Sequence, residues 1–133
     1  MDDTKQQIFA AALALADPFE WYEVIIDIEV EERGKNSEPY LVDSCVAVCF
    51  CRIDGEWCDH DLDLSAELRH LFHSLLRTDE LPHATYRLLA WPDGSSSWDV
   101  NSGLPHRLHG KTQSEIDTII ESKLNALVND AGP

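Results

Sequence analysis

All four cysteines of this chain fall, together with a histidine, in the 17-residue stretch CVAVCFCRIDGEWCDHD, Cys45 to Asp61. Thiolates and imidazole are zinc ligands, and adjacent thiols are redox partners, so the chemistry depends on which side chains face one another. Asp54-Gly55 marks a turn between two runs of strand-forming residues. A two-residue loop pairs Ile53 with Glu56, Cys51 with Cys58 and Cys49 with His60, placing a Cys₃His set on one face. A three-residue loop, Ile53-Asp54-Gly55, pairs Cys51 with Trp57, Phe50 with Cys58, Cys49 with Asp59 and Val48 with His60. That second register parts Cys58 and His60 from Cys49 and Cys51.

The apolar pattern favours the three-residue loop. A one-residue slip exchanges the faces of a whole strand, and the two-residue register sets Val48 against Asp61 and Phe50 against Asp59. Burying those aspartates unpaired is costly. Zinc sites also draw cysteines from knuckles with short spacers rather than from a flat ladder. The expectation is therefore no metal site and no cofactor, with the cysteines as small fillers of a strand.

Other candidates are weaker. Glu67, His70 and His73 stand three residues apart on a helical stretch, but histidines at that spacing drift round a helix, and they read as solvated. Ser95, Ser96 and Ser97 with Asp99 and His106 contain hydrolase residue types without the G-x-S-x-G elbow that exposes a nucleophile. No P-loop, dinucleotide fingerprint or HExxH motif occurs. No catalytic residue is assigned, and the chain reads as a non-enzyme. Trp21, Trp57, Trp91 and Trp98 are expected to pack partly buried against the sheet.

The elements that position these residues follow from periodicity. DDTKQQIFAAALALAD predicts a helix with Ile8, Ala11, Ala12 and Leu15 on one stripe, ended by Pro18. WYEVIIDIEVEE alternates as a strand, with Tyr22, Val24, Ile26, Ile28 and Val30 on one side. YLVDSCVAVCFCRI and EWCDHDLDL are the hairpin strands. SAELRHLFHSLLR is a second helix capped by Ser65, ATYRLLAW a fourth strand and SSWDVN a fifth. The last helix opens on a Thr112–Glu115 capping box and carries Ile116, Ile119, Ile120, Leu124 and Leu127. The fold class is α+β: an antiparallel meander of about five strands, with N-terminal, middle and C-terminal helices packed mainly on one face.

Charge is lopsided. The net charge is −15, from 25 acidic and 10 basic side chains. Residues 1–67 hold 17 acidic and 4 basic groups, whereas residues 68–133 hold 8 and 6. Direct nucleic-acid binding is excluded, since phosphate contacts need a basic footprint. No apolar run is long enough to span a membrane, and the N-terminus lacks the basic region of a signal peptide. Crowded rather than dispersed cysteines suggest reduced thiols in a cytoplasm. A length of 133 residues suggests one domain over 1–133.

With the helices on one face, the other face is expected to be open. It would gather Glu23, Ile25, Asp27, Glu29 and Glu31, then Cys45, Ala47, Cys49 and Cys51, then Trp57, Asp59, Asp61 and Asp63. An apolar centre rimmed by carboxylates suits a basic protein partner. The partner-binding candidates are Asp27, Glu29, Trp57, Asp59, Asp61 and Asp63.

The order of FEWYEVIIDIEVEE, a hairpin through RIDGEW, the helix ELRHLFHSLL and the final TYRLLAWPDGSSSWDVN resembles the YezG-type antitoxin and immunity family. Gly94 before Trp98 and Asp99 matches its terminal hairpin, and the likeness covers roughly residues 8–102. The resemblance implies a cytoplasmic immunity protein that neutralises a cognate bacterial toxin, often a basic nuclease, by binding it. Two rivals stand beside it: a metal- or thiol-dependent protein built on Cys49, Cys51, Cys58 and His60, and an intracellular adapter or chaperone-like module.

Overall fold

Alternating apolar and acidic residues make the long first strand, and that strand lies at the centre of the sheet. The computed structural model describes residues 3–34, 38–111 and 115–130. Helix α1 spans Asp3–Ala16, followed by β1 (Glu20–Arg33), β2 (Tyr40–Ile53) and β3 (Glu56–Asp61). Helix α2 (Ala66–Thr78), β4 (His83–Ala90), β5 (Ser96–Asn101), a 3₁₀ turn (Arg107–His109) and helix α3 (Glu115–Asp130) complete the order. The five strands form one antiparallel sheet in the order β3-β2-β1-β4-β5. The fold is α+β. The chain runs as a meander through β3, and then α2 returns it across the sheet so that β4 pairs with β1. Ser65 caps α2, its Oγ accepting a 3.1 Å hydrogen bond from the Leu68 N–H. The expected Thr112 capping box lies outside the described residues.

The sheet buries both faces. Val24, Ile26, Ile28 and Val30 of β1, with Ala47, Cys49 and Cys51 of β2, pack against Ile8 and Ala12 of α1 and Phe72, Leu75 and Leu76 of α2. On the opposite face Ile25, Val48 and Phe50 pack against Ile116 and Ile120 of α3. The open acidic face expected from the sequence is therefore corrected. The apolar run of β2 has no polar alternation from Cys45 to Cys51, the pattern of a strand covered on both sides, and the apolar stripe of α3 supplies the second cover.

Candidate functional site

The hairpin adopts the two-residue loop. Val48 pairs with Asp61, Cys49 with His60, Phe50 with Asp59, Cys51 with Cys58, Arg52 with Trp57 and Ile53 with Glu56. The three-residue register is overturned. Asp54 and Gly55 both take positive φ, 54° and 81°, the mirror-image turn whose twist matches that of the flanking strands. The objection to this register was the burial of Asp59 and Asp61, but β3 is an edge strand and both side chains are exposed. Sharing a face with Val48 and Phe50 does not bury a residue at the sheet's rim.

The thiols consequently share a face, and Cys51 Sγ lies 3.8 Å from Cys58 Sγ. His60, opposite Cys49, is exposed and turns its ring onto Phe19, with centroids 4.7 Å apart. Among the described residues no three His, Cys, Asp or Glu side chains are placed to hold a metal ion. Burial pushes the thiols of Cys45 and Cys49 up to about 12 and that of Cys51 to about 11. At neutral pH these three are protonated.

The acidic row of β1 is interior. Glu23, Asp27, Glu29 and Glu31 are 2%, 1%, 3% and 8% exposed, and each has a cation partner. Asp27 Oδ2 accepts a 3.0 Å hydrogen bond from Arg87 Nε. Arg107 Nη2 donates to the main-chain oxygens of Asp27 (3.1 Å) and Ser44 (2.8 Å). With both its hydrogens so directed, its 2.9 Å approach to Asp27 Oδ1 is a charge contact without a hydrogen bond. Glu29 accepts from the N–H groups of Arg107 (3.1 Å) and Leu108 (2.9 Å), capping the 3₁₀ turn. Glu31 meets Arg33 and His109. Lys123 of α3 reaches both oxygens of Glu23 at 3.2 Å. Burial raises the Glu31 carboxyl, and its hydrogen bonds with His109 and Arg33 more than offset this, so the group sits below its ordinary value. The row fastens the C-terminal segment onto the sheet. Asp27 and Glu29 are thus removed from the surface on which the sequence placed them.

Trp57, Asp59, Asp61 and Asp63 remain accessible. Trp57 is half-buried, with Arg52 over its ring at 4.8 Å and Tyr22 at 6.1 Å edge-on. Asp59, Asp61 and Asp63 are exposed and make no ion pair among the described residues. Between β3 and α3 lies a groove of about 270 Å³. Val46, Val48, Ile120 and Leu124 form its floor, Asp59 and Asp61 one rim, and Asp117 and Glu121 the other. The sequence reading missed this second rim because it put α3 on the wrong face. A second, polar cleft of about 220 Å³ opens above Asp27, lined by Arg87, Arg107, Asp99 and Glu115 among others.

The remaining candidates separate. His73 is not solvated: it is 9% exposed and its Nε2 lies 2.7 Å from Asp43 Oδ2. The His70 ring lies beside it, tilted by 55° with centroids 5.3 Å apart. Ser95 donates to Asp93 within its own turn, and no hydrogen bond among the described residues links Ser95, Ser96 or Ser97 to His106. All four tryptophans are half-buried. No described helix is long and apolar enough to cross a membrane. No protein-family model, curated protein or solved structure matches the chain.

Proposed function

We propose that this chain is an immunity protein, a stoichiometric inhibitor without catalysis that binds a basic cognate toxin of the nuclease kind in the cytoplasm. The observation that carries this reading is the groove between β3 and α3, an apolar floor between two carboxylate rims. Lysine and arginine side chains fit such a channel, with their methylene stems along the floor and their charged heads at the rims. Asp63 and the half-buried Trp57 extend the same edge, and a partly desolvated aromatic is a common anchor of protein interfaces.

The charge ledger supports the same surface. The four interior carboxylates are matched by Arg33, Arg87, Arg107 and Lys123, which leaves 21 acidic and 6 basic side chains to carry the entire −15. The excess is therefore carried outside the interior network, where it accelerates encounter with a cation-rich protein. The test is co-expression with the product of the neighbouring gene, expected to be a toxin that arrests growth. The wild-type chain restores growth, and D59K/D61K/E121K fails to restore it while remaining folded. Rescue by the triple variant with unchanged affinity and salt dependence would remove the groove from the interface.

A further inference from the structure

Cys51 and Cys58 face each other across a hairpin in a way that none of the other cysteine pairs does. In a two-residue hairpin the closing pair is hydrogen-bonded and the pairs alternate, so Ile53–Glu56 and Cys51–Cys58 are of the hydrogen-bonded kind. Such pairs have Cα atoms about 5.5 Å apart, inside the roughly 4.4–6.8 Å range that disulfides occupy. The two sulfurs are 3.8 Å apart, so modest side-chain rotation brings them to the ~2.05 Å bond length. The alternatives are worse placed. Cys49 and Cys51 are next-but-one on a single strand, with Cα atoms about 6.6 Å apart at the edge of that range. Cys49 is diagonal to Cys58 at about 7–8 Å. Cys45 lies about 13 Å along the strand from Cys49.

We infer that Cys51 and Cys58 are a reversible redox site, closing to an intrachain disulfide on reaction with a low-molecular-weight disulfide such as oxidised glutathione. Cys58, half-buried on the edge strand, is the thiol that the oxidant reaches first, because Cys51 is fully buried. The Cys58 thiolate attacks one sulfur of the small disulfide, breaks its S–S bond and releases one small thiolate. Cys51 then loses its proton, and its sulfur attacks Cys58 Sγ, displacing the second small thiolate. Two protein thiols are oxidised, one small disulfide is reduced to two thiols, and the two protein protons end on the leaving groups. Burial raises the Cys51 thiol, so the closing step speeds up as the pH rises. The bond ties the free edge strand to β2 across the Asp54-Gly55 turn. This inference stands independently of the toxin reading.

The experiment incubates the full chain with oxidised glutathione, blocks free thiols with an alkylating reagent and maps the peptides by mass spectrometry. The expected product is one Cys51–Cys58 link, with Cys45 and Cys49 alkylated once the chain is unfolded for labelling. C51S is expected to stop at a glutathione adduct on Cys58, C49S to form the link as wild type does, and C58S to form no link through Cys51. In urea the product should lose its selectivity, with links through Cys45 or Cys49 appearing beside Cys51–Cys58, because the native pairing is lost. In native buffer a link through Cys45 or Cys49, an intermolecular link, a stable adduct on Cys58 of the wild type or the same mixture of links as in urea would each overturn the inference.

Discussion

Arg107 opens the 3₁₀ turn between β5 and α3, and its guanidinium touches Asp27, Glu29 and the carbonyl of Ser44. Arg107→Met leaves Asp27 to Arg87 alone and takes the cation from Glu29, both in buried surroundings. The expected loss is about 3 kcal/mol in urea unfolding. Arg107→Lys recovers only part of it, since an ammonium cannot span the same set of acceptors. Glu31 gives a pH signature. Its folded-state value lies below the ordinary one, so its contribution is present above pH 4.5 and declines as pH falls through the folded value. Stability measured from pH 6 to pH 3 should therefore fall less steeply in Glu31→Gln, which has no carboxyl to protonate. The thiols act at the other end. Cys45 and Cys49 are raised from 9.0 to about 12, so the unfolded chain releases their protons first, and the stability they contribute declines between pH 9 and pH 12. A C45A/C49A variant should show a flatter decline across that window.

At the scale of elements, the hairpin and α3 decide the surface. Asp54 and Gly55 both need positive φ, and a β-branched residue there meets the steric cost of the left-handed region. Gly55→Val should lose about 1–2 kcal/mol, read as a lower urea midpoint with an unchanged slope. Helix α3 covers Ile25, Val48 and Phe50 through Ile116 and Ile120. Ile116, 1% exposed, is the tighter plug, and Ile116→Ala should cost about 2–5 kcal/mol. Because the same helix supplies the second rim of the groove, a variant that loosens it is expected to weaken partner binding as well as stability.

For the whole molecule the dominant quantity is the net charge of −15. Like charges at this density oppose compaction, and salt screens them within a Debye length of about 10 Å at 0.1 M. Raising sodium chloride from low ionic strength should therefore increase the melting temperature. A decrease would mean that attractive surface pairs dominate instead. The interior ion pairs respond less, since buried charges are poorly screened.

Much of the architecture was legible in the sequence. Period-two alternation located β1, the turn residues located the hairpin, and the apolar stripes located all three helices, because these signals are local. The register of β3 was not legible, although Asp54-Gly55 pointed to the two-residue turn that occurs. The apolar match with β2 argued the other way by treating a whole face as buried, whereas an edge strand exposes part of it. Nor could alternation tell whether the acids of β1 met water or cations. The available sign was that Arg87, Arg107, His109 and Lys123 all lie downstream as possible partners. Composition alone established the acidity. Only the tertiary structure decided that Asp27 and Glu29 are interior while Asp59, Asp61 and Asp63 are exposed, because burial depends on which distant segment covers a face.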